Sequence, residues 1–280
     1  PHIYRFNERV KLAGHEVDDQ RLVDAFVCVD QARRECGLSL SFFEATTLAA
    51  FVIFKQQQCD VWVLEVGLGG RLDVVNVIDP DIAVITNIGL DHVDWLGDTI
   101  EKIAFEKAGI IRPDIPVVFA GQQQLPQAIQ HKVDETNASL YTLNRDYFYQ
   151  LNNDGQSWSF ASSGATLKLP VGQLALDNIS TAVAAVLVSG IEISQQAIAT
   201  GIQQARLQGR FEIRQIKDKT VIFDAGHNPH GVEFLLNQLR KFLKYNKQYT
   251  EVVAVFSMLA DKDIASVTDL LKTTVKDWFI

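Results

Sequence analysis

Three groups of polar residues follow apolar runs that have the length of β-strands. Glu65 opens the segment E-V-G-L-G-G-R-L-D after the first run, Asp91 and His92 follow the second, and Asp224 closes the third. Open α/β sheets bind ligands at the carboxyl ends of their parallel strands, and carboxylates there are natural magnesium ligands. The pattern therefore predicts a charged ligand and a metal ion. We expect adjacent strands to bring Glu65 and His92 together.

Each group also has a simpler interpretation. Glu65 could be a surface residue of a tight turn, which we disfavour because the next predicted strand also ends in polar residues. A helix that begins near Pro229 suits a ribose or a phosphate beside Asp224, although Asn228 would also serve as an ordinary helix cap. Lys107, near the end of a predicted helix, would by itself be a solvated partner of the helix dipole.

Two nucleotide-binding fingerprints are absent from the sequence. Residues 67–72 do not form the dinucleotide-binding fingerprint, because Leu72 stands where its last glycine would be. No phosphate-binding loop of the form G-x-x-x-x-G-K-[ST] occurs. The first absence argues against an oxidoreductase with a nicotinamide cofactor, which the α/β pattern alone would allow.

Alternating helix and strand patterns predict that these residues lie on an α/β protein. Between 140 and 169, aromatic residues alternate with polar ones, which predicts a small antiparallel β excursion. Residues 208–210 suit a linker, and a new β-α-β-α pattern follows, so we place two domains at 1–205 and 206–280. The other elements predicted in the first domain are helices 18–35, 42–57, 100–108, 176–188 and 194–205, and strands 61–66, 82–88 and 116–120.

The composition disfavours several classes of function. With 26 Lys and Arg against 34 Asp and Glu, the net charge is −8, which disfavours general nucleic-acid binding because phosphate contacts need clustered cations. The basic stretch 240–247 is better interpreted as a helix end. No apolar run is long enough to span a bilayer, and the three cysteines match no zinc or redox spacing. We expect a cytoplasmic protein that binds neither nucleic acid nor membranes.

Together, these segments resemble the folylpolyglutamate synthase and dihydrofolate synthase family, within the wider Mur ligase group. The specific motifs are the glycine-rich segment 65–76 and the D-x-x-H-N-P segment that starts at Asp224, and they favour the folate branch over the cell-wall branch. The other matches, in chain order, are S-F-F-E at 41–44, L-D-H at 90–92, W-L-G at 95–97, E-K-A-G-I at 106–110, D-N at 177–178 and G-R-F at 209–211.

The resemblance implies an ATP-dependent ligase with magnesium as its metal. ATP would phosphorylate the carboxylate of dihydropteroate or of the terminal glutamate of a folate, and the amino group of L-glutamate would then displace the phosphate. The bacterial type with both activities is the most similar, and the family resemblance implies a monomer. The implied fold is a Mur ligase-like central ATPase domain with a mostly parallel sheet, followed by a smaller Rossmann-like α/β domain.

The resemblance also implies roles for individual residues. Glu65 and His92 correspond to magnesium ligands. His92 and Lys107 correspond to catalytic residues, with Lys107 carbamylated so that a cation becomes an anion near the metal. Arg210 would reach the phosphates when the domains close. The ATP contacts correspond to Asn178, Arg210, Asp224 and His227, and the pterin-binding residues to Ser41, Phe42, Phe43, Glu44, Leu72, Asp73 and Val74.

One departure from the family pattern concerns the two ends of the chain. The family's phosphate loop would lie before Pro1, and the rest of the second domain would follow Ile280. We therefore expect a truncated second domain and a fragment that is inactive or nearly inactive alone, from a full-length protein that is an active ligase. A cell-wall Mur-type amide ligase and a non-catalytic remnant of the fold remain as alternatives.

Overall fold

The chain forms two compact units. The computed structural model describes residues 2–121, 124–260 and 262–280, and for His230 the backbone only. Unit 1 is Pro1–Arg206 and unit 2 is Leu207–Ile280.

The first part of unit 1 is mainly helical. A small hairpin of β1 (Lys11–Leu12) and β2 (His15–Glu16) precedes α1 (Asp19–Cys36) and α2 (Phe42–Gln56). Both helices were predicted, each begins at a side-chain cap, and α1 ends at the left-handed Gly37. Their shared core consists of Val10, Val17, Leu22, Ala25, Val29, Ala49 and Ile53.

The strand predicted over 61–66 is wrong. This segment pairs with no strand among the residues that the structure describes, and Val63 is 89% exposed. Trp62 instead packs its ring against Phe51 and Phe54 of α2, with ring centroids 5.9 and 5.6 Å apart. A strand needs a neighbour for its backbone hydrogen bonds, and without one the apolar composition of the segment does not make a strand.

A three-stranded parallel sheet forms the middle of unit 1, with the order β3-β4-β5. The strand predicted over 82–88 is shorter than expected, since β3 has three residues, and the helix predicted over 100–108 is confirmed. The elements are β3 (Ala83–Ile85), α3 (Val93–Leu96), α4 (Ile100–Ala108), β4 (Pro116–Phe119), α5 (Gln127–Thr136) and β5 (Ser139–Thr142). The core on this sheet includes Ile85, Ile103, Val117, Phe119 and Ile129.

An antiparallel sheet with the order β6-β7-β8 completes unit 1, together with two helices. The predicted antiparallel excursion is confirmed for these strands but wrong for the residues of β5, because β5 pairs parallel with β4. The elements are β6 (Tyr147–Leu151), β7 (Ser157–Ser162), β8 (Thr166–Pro170), α6 (Leu176–Val188) and α7 (Gln195–Gln204). Fully buried Tyr147, Trp158 and Phe160 dominate this core.

Unit 2 has its own small core, built on an antiparallel hairpin, a parallel strand pair and two helices. The hairpin strand β9 precedes the predicted β-α-β-α pattern and was not expected. The elements are β9 (Glu212–Ile216), β10 (Lys219–Phe223), α8 (Pro229–Tyr245), β11 (Val253–Val255), α9 (Ile264–Leu271) and β12 (Asp277–Phe279). Val232, Leu236, Val267, Leu271 and Val275 form the core. The predicted α/β class with parallel and antiparallel sheets is thus confirmed.

Across the described ranges, none of the helices combines the length and the apolar character that crossing a membrane requires.

Candidate active site

The glycine-rich loop, residues 67–73, lies directly on the C-terminal end of α4. The Arg71 N–H donates a hydrogen bond to the carbonyl oxygen of Glu106 at 2.8 Å. A Cβ on Gly70 would lie 2.9 Å from that same oxygen, and a Cβ on Gly109 would lie 2.3 Å from Cβ of Arg71. The two segments therefore approach each other at distances that side chains at these positions would prevent.

Asp73, a predicted pterin-binding residue, closes the loop on itself. Its Oδ2 accepts hydrogen bonds from the N–H groups of Gly67 and Leu68, both at 3.0 Å. Its Oδ1 caps the 3-10 turn Val74–Val77, whose half-buried first residue is also in the predicted site. Leu72, by contrast, is 79% exposed. In this chain Asp73 shapes the loop, and Leu72 presents an apolar side chain to solvent.

The predicted pterin-binding residues 41–44 form the start of α2. Ser41 Oγ accepts from the Glu44 N–H at 3.3 Å, and Glu44 Oε2 accepts from the Ser41 N–H at 2.6 Å. These hydrogen bonds cap the helix and hold the pKa of Glu44 below its usual value. Phe42 is exposed. The ring of Phe43 packs against Gly67, which joins the start of α2 to the glycine-rich loop.

Lys107 is half-buried at the end of α4, in the turn that the loop contacts. Burial lowers the pKa of its ammonium group, and the carboxylate of Asp91 acts in the opposite direction. The Lys107 ammonium forms no salt bridge with a carboxylate in the part of the chain that the structure describes. A lysine in this setting reaches its neutral, nucleophilic form more readily than an exposed one.

The two predicted metal ligands lie in different settings. Glu65 is exposed in the segment that leads into the loop. His92 is exposed, has a positive φ of 52° and immediately precedes α3, and its N–H donates to Asp91 Oδ1 at 2.9 Å. The last residue of α3, Leu96, lies 2.9 Å from the position of a Cβ on Gly69. The loop that follows Glu65 thus contacts the short helix that follows His92.

Within the described ranges, no group of three or more His, Cys, Asp or Glu side chains is arranged to hold a metal ion. The strand pairing that we expected to bring Glu65 and His92 together is also not formed. The contacts of the loop with α3 and α4 are the part of the predicted arrangement that the structure contains.

Asn178, a predicted nucleotide contact, lies exposed in the first turn of α6. This turn has no side-chain cap, because the residue before the helix is Ala175. Asp177, beside Asn178, accepts a hydrogen bond from the Tyr149 hydroxyl. Burial, followed by the interaction with Asp177, raises the pKa of Tyr149 to about 12. Tyr149 thereby holds the first turn of α6 against β6.

The predicted nucleotide contacts of unit 2 gather around Asp224. Its Oδ2 accepts from the Phe211 N–H at 2.8 Å and its Oδ1 accepts from the Gly226 N–H at 2.7 Å. These bonds fix the backbone beside Arg210, whose exposed guanidinium has no partner among the residues described. His227 is exposed and its Nδ1 lies 3.0 Å from the carbonyl oxygen of residue 225. Asp224 is thus engaged with the backbone, whereas Arg210 presents its charge to solvent.

Comparison with known protein families decides the wider relationship. The family described as Mur ligase middle domain matches residues 28–189, more than half of the chain. The chain belongs to the Mur ligase family. The family described as Mur ligase, glutamate ligase domain matches residues 209–280.

Individual relatives are similar to this chain along its whole length. A protein named dihydrofolate synthase/folylpolyglutamate synthase, from Escherichia coli (strain K12), is 41% identical over 280 residues, which are 100% of this chain and 64% of that protein. The solved structure of E. coli FolC in complex with DHPP and ADP has a TM-score of 0.90, with 41% identity, over 99% of this chain and 65% of that one. A bifunctional folylpolyglutamate synthase/dihydrofolate synthase with Mn, AMPPNP and L-glutamate bound has a TM-score of 0.88 at 38% identity, over 99% of this chain and 66% of the other. The chain therefore spans just under two thirds of the length of these relatives.

Three residues lie in contacts around the predicted site but were not predicted as part of it. They are Arg71, Glu106 and Tyr149. Arg71 and Glu106 lie inside the sequence motifs that carry the family resemblance, and their opposite charges are a signal that could have paired them. Tyr149 lies in the aromatic, polar-alternating region, where nothing in the sequence distinguishes it from its neighbours.

Proposed function

We propose that the full-length protein containing this chain is an ATP-dependent ligase that joins L-glutamate to dihydropteroate and to folates. A carboxylate oxygen of the pterin substrate attacks the γ-phosphorus of ATP, and ADP leaves. The amino group of L-glutamate then attacks the acyl phosphate carbon, and the phosphate leaves as the amide bond forms. We further propose that the protein is cytoplasmic and that it is a monomer, as the family resemblance implies.

The main structural support for this proposal is the close packing of the glycine-rich loop against the turn of α4 that contains Lys107. This contact joins two motifs that the chain shares with the folate ligases. The E. coli relative is similar along all 280 residues and is named for both activities. The solved relatives were crystallised with DHPP and ADP, and with Mn, AMPPNP and L-glutamate, which supports a nucleotide, a divalent metal and glutamate as ligands of this protein too.

We propose that Lys107 acts as a carbamate. Its half-buried position and lowered pKa favour the neutral amine that reacts with carbon dioxide, and the carbamate replaces a cation by an anion at the end of α4. Glu65 and His92 would then hold the metal, which we propose is magnesium. Carboxylate oxygen suits this ion, which keeps several water ligands and binds substrate phosphates, so two protein ligands are compatible with it. The metal would neutralise charge on the transferring phosphoryl group.

We propose that residues 1–205 are the central ATP-binding domain and residues 206–280 the second ligase domain. Asn178 would contact the nucleotide from an uncapped helix start, where backbone N–H groups favour polar or anionic ligands. Arg210 would bind phosphate through its exposed guanidinium, which has no partner among the residues that the structure describes, and Asp224 and His227 would complete the nucleotide contacts. Phe42 and Leu72 are exposed apolar side chains that suit contact with a pterin, whereas Ser41, Phe43, Glu44, Asp73 and Val74 would shape the surface around it.

The deciding experiment measures phosphate release from ATP by the full-length protein, with magnesium present. Dihydropteroate and tetrahydrofolate are supplied in separate reactions, each with and without L-glutamate. Glutamate-dependent release with both acceptors is the expected result. Release with tetrahydrofolate alone would restrict the proposal to chain extension. Release with neither acceptor, from folded protein, would overturn it in favour of a cell-wall type ligase or a non-catalytic relative.

A further inference from the structure

Arg71 and Glu106 are 35 residues apart in sequence and are joined by three hydrogen bonds. One links the Arg71 N–H to the Glu106 carbonyl oxygen at 2.8 Å. The other two run from Nη2 and Nε of Arg71 to Oε1 of Glu106, at 2.9 and 3.2 Å. The side chains of Glu106 and Arg71 are 19% and 42% exposed, so the ion pair lies at the surface and is partly open to water.

The contact between the glycine-rich loop and the end of α4 is tightly packed and has little room to shift. Gly70 and Gly109 lie on either side of the pair, and neither position has space for a Cβ. The guanidinium of Arg71 also lies over the ring of Phe105, 5.5 Å from its centroid, which restricts the plane of the guanidinium. Backbone, side chain and ring therefore hold Arg71 in one place relative to α4.

The paired residues are adjacent to groups of the proposed site. Glu106 immediately precedes Lys107, and a Cβ on Gly70 would lie 3.3 Å from the carbonyl oxygen of Lys107. Arg71 lies in the loop that follows Glu65 directly. The pair thus connects the segment that carries one proposed metal ligand to the turn that carries the proposed carbamate.

We propose that Arg71 and Glu106 are a positioning pair, which sets the place of the Glu65 loop relative to Lys107 without touching substrate. The proposal rests on the function proposed above. An exposed ion pair contributes only about 0–1 kcal/mol to stability, so a pair with no other role could be lost with little effect. Displacement of reacting groups by about 1 Å slows catalysis by as much as a hundredfold, so loss of a positioning pair is seen mainly in turnover.

The test uses the full-length protein and compares Arg71→Gln, Glu106→Gln and the double variant. We expect each single variant to lower kcat by about tenfold to a hundredfold and to raise the magnesium concentration needed for half-maximal activity, with KM for ATP within about twofold of wild type. Because the two residues act as one unit, the double variant is expected to be no slower than the slower single variant.

Lys102→Gln is the matched control. Lys102 lies on the same helix as Glu106 and pairs with Asp98, which precedes that helix, and the two side chains are 62% and 77% exposed. This variant is expected to keep the wild-type kcat and magnesium requirement. If the neutral variants do not fold, Arg71→Lys provides the test. Lysine keeps the positive charge but cannot donate both of the hydrogen bonds that the guanidinium makes to Glu106, so this variant is also expected to lower kcat.

Three results have distinct meanings. Wild-type kcat and magnesium dependence in both neutral variants would overturn the positioning role while leaving the ligase intact. Effects that multiply in the double variant would also overturn it, because independent residues behave in that way. Absence of glutamate-dependent phosphate release from the wild type would instead refute the proposed function, and with it the role of the pair.

Discussion

The ring of Phe43 fills the space beside Gly67, so that a Cβ on Gly67 would lie 2.6 Å from the ring edge. Phe43 is the second residue of α2, and Gly67 begins the glycine-rich loop. The start of α2 therefore packs against the glycine-rich loop, which itself packs on the C-terminal end of α4. The position of the loop is set by packing at both of its ends, at Phe43 and at Gly109.

Three glycine-to-alanine substitutions test this packing as a graded series. Gly109→Ala is expected to cost about 3 kcal/mol, because the new Cβ would meet the backbone of Arg71 at 2.6 Å. Gly67→Ala is expected to cost about 1 kcal/mol, because the Phe43 ring can turn aside. Gly89→Ala, whose Cβ would meet nothing within 4 Å, is the control and is expected to change stability by less than about 0.5 kcal/mol. Urea unfolding of the chain measures all three, and equal midpoints would contradict the packing argument.

A second prediction concerns the Asp224 carboxylate, which holds the backbone beside Arg210 in place. Asp224→Asn replaces one accepting oxygen by an NH2 group that faces a backbone N–H, either of Phe211 or of Gly226. We expect a loss of about 1–3 kcal/mol in unit 2 and faster hydrogen exchange at the amides of these two residues. Asp218→Asn is the control, since Asp218 is 80% exposed. Unchanged exchange in the Asp224 variant would show that the loop is held by other contacts.

The caps and periodicity of the helices could be predicted from sequence, and the tertiary contacts of the loop could not. α1, α2 and α4 begin at local side-chain caps and follow their apolar spacing, so short segments determine them. Residues 61–66 have the composition of a buried strand, yet a strand also depends on a partner that the segment itself does not encode.

The contacts of the site residues likewise could not be predicted from local sequence. In the sequence, Lys107 looks like an ordinary lysine near a helix end, and only the structure shows its burial and the neighbouring Asp91. The family resemblance identified it as a site residue, but the local sequence contains no physical reason for that role. Asp73 was predicted as a ligand contact from the family resemblance, and Asp224 from the resemblance and its place at the end of a predicted strand. The structure shows that both accept backbone hydrogen bonds, a partner choice that depends on the folded loop.

A third prediction tests the hydrogen bond between Tyr149 and Asp177. Tyr149→Phe removes a donor to a carboxylate, so a loss of about 1.5–3 kcal/mol is expected. In the full-length protein, KM for ATP is also expected to rise, because the first turn of α6 carries Asn178. Tyr245→Phe is the control, since Tyr245 is 72% exposed. An unchanged KM in a destabilised Tyr149 variant would separate the hydrogen bond from nucleotide binding.

Tyr149 also predicts a pH dependence. Its pKa is raised from 10.0 to about 12 in the folded protein, so between these values the folded state binds more protons than the unfolded state. The stability contributed by the protonated hydroxyl is fully present below pH 10 and is lost as the pH rises towards 12. The Tyr149→Phe variant is expected to lose stability less steeply over this interval than wild type, as measured by urea unfolding. Parallel curves would contradict the assigned environment of the hydroxyl.

The proposed carbamate gives a fourth prediction, by chemical rescue. In the full-length protein, Lys107→Ala should lose activity, because the proposed carbamate anion at position 107 is removed. Added formate or acetate should restore part of the activity by occupying the vacated space with a carboxylate. Chloride at the same ionic strength is the control for a general salt effect. Failure of both carboxylates to restore turnover would leave Lys107 as a residue that contributes only packing or charge.

The last prediction concerns the uncarbamylated amine and is made for the chain in buffer free of carbon dioxide. Burial lowers the pKa of Lys107 below its ordinary value of 10.5, so the charged form is destabilised in the folded state. Below the folded pKa both states are protonated and the full cost is present, whereas above 10.5 both are neutral and the cost disappears. Lys107→Met removes this cost, so its stability advantage over wild type should shrink as the pH rises towards 10.5. Lys102→Met corrects for the loss of one positive charge on the same helix. An advantage that stays constant or grows with pH would mean that the Lys107 ammonium is not destabilised by burial.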